Sequence, residues 1–299
     1  MILTIDIGGT AIKGGIALSP SDIRPLERIA TPARDRAAFD AAIGAVLAQC
    51  PEAEAVCISI AGVVDPADGR ITVANIPCID GHKLQAEMEA RFLKPFLVAN
   101  DADCFALAEA ALGSGRGADV VFGVILGTGV GGGLIVNGKI VTGAGGFAGE
   151  WGHGPVMPLF AGDPPVRVPQ VTCGCGQTGC LDTLGSARGL ERLHMHLHGA
   201  ELASTDIVEA WEEGNAAAGR TVDLYIDLVS RPLALVVNVV GASSVPVGGG
   251  LSNAPKLIAR LDSAVRGMIL QKRTVPLVVP AQCTPEPGMI GAAILGFSR

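Results

Sequence analysis

Apolar residues open the chain at Ile2 to Ile5. Asp6 and a Gly8-Gly9-Thr10 turn interrupt them before apolar positions resume at Ala11 and Ile12. That pattern predicts a hairpin: a strand over 2–6, a loop at Gly8 to Thr10 and a strand over 12–18. AVCISIAG (55–62) is a continuous apolar run of strand length, LQAEMEARFL (84–93) has helical spacing, and PFLVAND (95–101) predicts a short strand ending in Asn-Asp. An Ala- and Leu-rich helix follows over 102–112. The pattern then restarts in DVVFGVILGTGVGGGLIVNGK (119–139) as strand, glycine turn and strand. Two hairpins of one kind, each opening an α/β segment, predict a duplicated architecture with a cleft between the halves. The boundary falls in GSGRGA (113–118). Further helices are predicted over 186–197, 205–213, 216–240, 254–269 and 288–297, with a strand at 275–279.

One apolar stretch, PLALVVNVVGASSVPVGGG (232–250), approaches the length of a membrane span. Asn238 and the break at Gly241, Ser243 and Ser244 instead predict a buried helix followed by a buried strand. The 299 residues suffice for two cores, and with 49% hydrophobic but only 4% aromatic residues those cores must be built from Ala, Val, Ile and Leu. The net charge of −7 and the lack of any Lys/Arg run argue against nucleic acid or an anionic membrane as partner. Asp6 interrupts the first apolar run too early for a secretory signal, so the cytosol is the expected location. A disulfide framework is not expected there among the eight cysteines. Cys50, Cys57, Cys78, Cys104 and Cys283 lie among apolar neighbours and read as small buried hydrophobes.

The remaining three cysteines belong to a different pattern. CGCGQTGC (173–180) spaces Cys173, Cys175 and Cys180 as C-x-C-x4-C, one ligand short of a closed tetrahedral set, and His153 of GEWGH (149–153) supplies the fourth. Four protein ligands predict a structural zinc. HMHLH (194–198) is a poorer metal motif, because only His194 and His198 share a helical face; it reads as a solvated helix end. The glycine turns DIGGT and LGTGVGGG can each present backbone N–H groups and a Thr hydroxyl to phosphate oxygens. Neither ends in Lys-Ser/Thr as a P-loop does. The G-x-G-x-x-G spacing of Gly127, Gly129 and Gly132 lies in a strand–turn–strand context, not the strand–turn–helix of a dinucleotide site. In NDADCF (100–105), Asp101 and Asp103 both suit a helix N-cap, and Asp101 at a strand end also suits a general base.

DIGGT, NDADC, LGTGVGGGL, GEWGH, CGCGQTGC and GGGLSN occur in the order and spacing of the ROK family of bacterial sugar kinases and repressors, which the chain resembles over nearly its whole length. Within that family, NIPCIDGHKL, NDADCFALAEA and ILGTGVGGGLIVNGK are most similar to members acting on an N-acetyl amino sugar. The resemblance implies an actin-like ATPase (ribonuclease H-like) α/β fold with two domains flanking a cleft. The N-terminal domain would span 1–115, joined by the C-terminal helix 288–299. The C-terminal domain would span 116–287 and carry the zinc-binding loop 150–182. The implied reaction is ATP-dependent phosphorylation of the sugar 6-hydroxyl, with N-acetyl-D-glucosamine ahead of glucose, fructose or N-acetylmannosamine. ATP, Mg²⁺ and a structural Zn²⁺ are implied, as is a homodimer or dimer of dimers.

Residue by residue, the resemblance makes Asp101 the catalytic base and Gly62, Asn75, Asn100, Glu150, His153 and Asp182 sugar contacts. Gly8, Gly9, Thr10, Lys13, Gly127, Thr128, Gly129 and Gly131 would line the phosphates, and Gly248 and Gly249 the adenosine. His153, Cys173, Cys175 and Cys180 would hold zinc. Asp6 beside a phosphate turn then has a reason: a hydrated Mg²⁺ between carboxylate and phosphates converts repulsion into attraction. Two departures stand out. Asp182 replaces the family's glutamate near the anomeric end of the sugar, and EPG (286–288) replaces DAG, with no expected consequence for the chemistry. The family's repressors carry a helix-turn-helix before the first glycine turn, whereas five residues precede Asp6 here. Asp101 and both glycine turns weigh against a purely sugar-sensing binding protein.

Overall fold

The computed structural model describes residues 1–298, which pack into two compact units. The first comprises 1–116, 133–148 and the chain from Cys283 onward; the second comprises 117–132 and 149–282. Where the sequence predicts one span over 116–287, residues 133–148 and 283–287 thus pack with the first unit. The chain passes from one unit to the other within the strand Val130–Val136.

A six-stranded sheet centres the first unit, in the order Asp22–Pro25, Ala11–Ser19, Ile2–Ile7, Ala55–Ile60, Phe96–Asn100, with the short Ile29–Ala30 also on Ala11–Ser19. The opening hairpin is antiparallel, and Ala55–Ile60 and Phe96–Asn100 join in parallel. In register, Ile7 lies opposite Ile60, and Ile60 opposite Asn100. The Gly8 turn, Gly62 and Asp101 therefore all leave the same end of the sheet, the carboxyl end of its parallel strands, where α/β folds place ligands.

One sheet face packs on Leu3, Ile5, Ile7, Phe39, Ile43, Ile58 and Met88. Phe39 and Ile43 come from a helix, Arg36–Leu47, that the sequence pattern leaves unassigned. Its signals are local: Asp35 accepts from Ala38 N at 3.0 Å as an N-cap, and buried residues recur four apart. On the other face small residues meet: Ala17 and Cys57 of the sheet pack against Cys104 of the helix Asp101–Ala111 and Ala292 and Ala293 of the helix Pro287–Phe297. Small side chains let those helices come close: a Cβ at Gly291 would strike the Cys104 carbonyl, and one at Gly296 would stand 2.6 Å from Cys57 Sγ. Cys50 and Cys283 are likewise buried, while Cys78 is partly exposed.

In the second unit Val120–Leu126, Val245–Gly248 and Val278–Pro280 lie parallel; Pro255–Met268 packs on the last of them, and Ala216–Val240 packs against Ala187–His198, Ser204–Glu212 and Pro255–Met268. The long helix stops at Gly241, which takes φ 69°, and the chain turns into the buried strand Val245–Gly248. Among the described residues no helix is long and apolar enough to cross a membrane. The predicted solvated helix end at HMHLH holds for His196 and His198, which are exposed, but not for His194. His194 is buried, its Nδ1 2.9 Å from the Thr221 hydroxyl, and its ring centroid lies 4.8 Å from that of His198.

Candidate functional site

Three groups in the first unit gather at the carboxyl end of the sheet. Asp6 is mostly buried; its Oδ1 accepts from Ser59 Oγ at 2.8 Å, and Lys13 Nζ lies 3.8 Å from Oδ2. Burial raises the Asp6 pKa, the Ser59 hydroxyl and Lys13 pull it down, and Glu286 pushes it up; the net direction is upward. A buried carboxylate whose neighbours only partly compensate its charge suits a hard cation on the open side, so the residues present fit Mg²⁺. Lys13 also pairs with Glu286 at 2.8 Å. Gly288, two residues later, abuts both Asp6 and Ser59. EPG thus lies against this site, through Glu286 on Lys13 and through Gly288, the glycine it shares with DAG.

The Gly8-Gly9-Thr10 turn closes through Gly8 N to Ala11 O at 3.0 Å and is held by Thr31 Oγ1 on Gly8 O at 2.7 Å. Asn75 packs on it: a Cβ at Gly9 would stand 3.0 Å from Asn75 Cβ. Asn100, not Asp101 or Asp103, caps the following helix, accepting from Ala102 N at 2.8 Å and Asp103 N at 3.1 Å. Its Nδ2 donates to Gly62 O at 3.1 Å. With the cap role filled by its neighbour, Asp101 is a partly exposed first residue of a helix at a strand end, its Oδ1 accepting from Ala102 N at 2.9 Å.

In the second unit the turn Gly127-Thr128-Gly129 is tightened by Gly127 N on Gly129 O at 3.0 Å. Gly249, at φ 85°, brings its backbone onto the same turn, where a Cβ would stand 2.7 Å from Gly127 N. Gly248 lies just before it, buried at the end of its strand. Next to the Gly249 loop opens a cavity of about 640 Å³ lined by Ser204, Thr205, Val208, Glu209, Asn253 and Lys256. Trp151, which sequence reasoning passes over inside GEWGH, donates Nε1–H to Gly131 O at 2.9 Å and packs edge-on to Phe122.

The four residues expected to hold zinc, His153, Cys173, Cys175 and Cys180, have their donor atoms within 4.8 Å of one another. Two sulfurs bound at about 2.3 Å in a tetrahedron lie about 3.8 Å apart. Cys175 Sγ and Cys180 Sγ are 3.6 Å apart, as are Cys173 Sγ and His153 Nδ1, so the set fits Zn²⁺. Gly154 N donates to Cys180 Sγ at 3.4 Å, a contact that suits a thiolate. Burial pushes the Cys173 thiol up to about 12, while the Gln177 amide draws exposed Cys175 down to about 7. With Nδ1 on the cysteine side, His153 Nε2 faces Glu150, 3.7 Å from Oε2. Burial raises the Glu150 pKa, His153 lowers it and Asp182 raises it. Asp182 sends Oδ1 to Val130 N at 2.8 Å, at the end of the glycine turn.

The ROK family model matches residues 2–298, and the chain belongs to that family. It is 37% identical to the N-acetyl-D-glucosamine kinase of Escherichia fergusonii over the full length of both chains. The corresponding kinase of Citrobacter koseri is 36% identical, with 99% of each chain covered. Among solved structures, a ROK family glucokinase from Streptomyces griseus in complex with glucose and AMPPNP matches with a TM-score of 0.78 at 29% identity, covering 98% of each chain. A ROK hexokinase from Thermus thermophilus matches with a TM-score of 0.81 at 27% identity, covering 99% of each. The fold is that of the ROK sugar kinases.

Proposed function

We propose that this chain is a cytosolic kinase that transfers the γ-phosphoryl group of ATP to the 6-hydroxyl of N-acetyl-D-glucosamine. The full-length similarity at 37% identity to a kinase of that name carries the reading. Asp101, at a strand end and relieved of capping duty by Asn100, supports it.

In this reading ionised Asp101 accepts a hydrogen bond from the 6-hydroxyl, orients it toward the γ-phosphorus and takes its proton. Asn75, Asn100, the Gly62 backbone, Glu150 and His153 fix the sugar hydroxyls, so that encounter becomes near-unimolecular. Backbone amides and hydroxyls of Gly8, Gly9, Thr10, Gly127, Thr128, Gly129 and Gly131, with the Lys13 ammonium, hold the phosphates. Gly248 and Gly249 border the adenosine, for which the adjoining cavity has room. Bound Mg²⁺ would neutralise phosphate charge, with Asp6 as its carboxylate anchor. Zinc on Nδ1 would fix the His153 ring, leaving Nε2 for the sugar and Glu150.

The chain acts as a homodimer in this reading. Support comes from exposed Leu235 and Val239 on the long helix beside exposed Leu270, whose N–H bonds Asn238 Oδ1 at 3.0 Å. A coupled assay of ADP release, comparing kcat/KM for N-acetylglucosamine, N-acetylmannosamine, glucose and fructose, tests the activity. N-acetylglucosamine is expected to give the highest value. No sugar-dependent ADP release from zinc-loaded protein would overturn the kinase reading, and a higher kcat/KM for another sugar would replace the substrate.

A further inference from the structure

Residues 182–187 brace the turn Gly127-Thr128-Gly129 at both ends. Asp182 Oδ1 accepts from Val130 N at 2.8 Å, and Ala187 N donates to Gly127 O at 2.8 Å. The turn closes directly onto the carboxylate, for a Cβ on Gly129 would stand 2.7 Å from the same Oδ1. Asp182 is equally part of the zinc loop. It follows Cys180 by two positions, its own N–H bonds Gly152 O at 2.8 Å, and Cys173 Sγ lies 3.8 Å from Oδ2. One oxygen thus serves the turn, while the other faces a zinc-ligand cysteine.

We propose that Asp182 is a positioning residue that couples the zinc loop to the nucleotide turn, and that it forms no direct bond to the sugar. The inference rests on the kinase reading for its ligands, with the turn taken as the phosphate cradle. Its physical basis is preorganisation. Turn amides stabilise phosphate charge only if they are already aimed when the nucleotide arrives, and a charge-assisted bond at Val130 fixes the end of that turn. The aspartate length is what allows this. One methylene more would drive the carboxylate past Val130 or into the space that Gly129 leaves open. The replacement of the family's glutamate is therefore a change of partner, from sugar to loop.

The test compares wild type with Asp182→Ala, Asp182→Asn and Asp182→Glu, all zinc-loaded, by calorimetric Mg–AMPPNP binding without sugar and by KM for each substrate. Losing a hydrogen bond to a charged group predicts about a tenfold weaker AMPPNP affinity in Asp182→Ala, with KM for ATP rising in step. KM for sugar stays within about twofold. Asp182→Asn keeps a carbonyl oxygen for Val130 N–H and regains most of the loss. Asp182→Glu leaves no void, so it reports even if the alanine variant fails to fold, and it too weakens AMPPNP with the sugar KM unchanged. The proposal is overturned if sugar KM rises about tenfold in the alanine and asparagine variants while AMPPNP affinity holds. It is equally overturned if Asp182→Glu tightens sugar and leaves nucleotide untouched. AMPPNP affinity is read without sugar, so wild type that binds it yet releases no sugar-dependent ADP would remove the kinase reading and leave the Asp182 comparison standing.

Discussion

Gly288 lies directly against Asp6: a Cβ at Gly288 would stand 2.7 Å from Asp6 Oδ1 and 2.6 Å from Ser59 Oγ. The second residue of the helix Pro287–Phe297 thus touches a carboxylate one residue short of the end of the opening strand. The start of a helix is its electropositive end, so this contact favours a charged Asp6 where burial opposes one. Overpacking at such a point costs about 1–3 kcal/mol and displaces the crowded groups. Gly288→Ala is expected to lower the thermal midpoint and to weaken Mg²⁺-dependent AMPPNP binding about tenfold or more. A variant with wild-type melting and wild-type nucleotide affinity would show that the helix can slide without moving Asp6.

The division of labour between Asn100 and Asp101 predicts a clean separation of stability from catalysis. Asn100 holds the cap through Ala102 N and Asp103 N, so Asp101→Asn leaves the helix start intact. Its melting temperature and sugar affinity should match wild type while kcat falls about 100-fold or more, the usual scale for losing a general base. Asn100→Ala removes the cap and the bond to Gly62 O, and should cost about 1 kcal/mol in stability as well as turnover. Denaturant melts and the coupled assay read both. Near-normal kcat in Asp101→Asn would end the base assignment.

Metal content gives an independent check. Wild type is expected to carry one zinc per chain by elemental analysis of freshly purified protein. Cys175→Ser should lose that zinc and several degrees of thermal stability, because Cys175 closes the four-ligand set. Chelation of wild type should reproduce the drop, and added Zn²⁺ should reverse it.

What the sequence made legible follows from how local each signal is. The two glycine hairpins, the C-x-C-x4-C spacing with His153 and the strand ending in Asn-Asp are contiguous patterns, and each predicted element lies within a few residues of its structural bounds. Contacts made by distant segments were invisible. Nothing in DIGGT announces that Ser59 and Gly288 would meet Asp6, or that Lys13 would pair with Glu286. Asp182 was visible as a departure, but its partner Val130 lies 52 positions away, and only the folded chain supplies it. The helix Arg36–Leu47 was a missed local signal, since Asp35 and the Phe39/Ile43 spacing were there to be read.

His194 carries the last prediction. Burial lowers its pKa below the usual 6.5, and neighbouring His198 lowers it further. The folded protein therefore resists protonating a ring that the unfolded chain protonates freely. The unfolded state binds more protons in that window, so stability rises with pH there. The His194 contribution is complete above about pH 6.5 and is lost as pH falls from there through the lowered folded pKa. One proton corresponds to a slope of at most about 1.4 kcal/mol per pH unit. Urea midpoints between pH 7.5 and 5 are expected to fall faster for wild type than for His194→Gln, which can keep a bond to Thr221 without titrating. The variant should start lower at pH 7.5, through imperfect packing, and the two curves should converge toward pH 5. Parallel curves across that range would place the acid sensitivity elsewhere in the molecule.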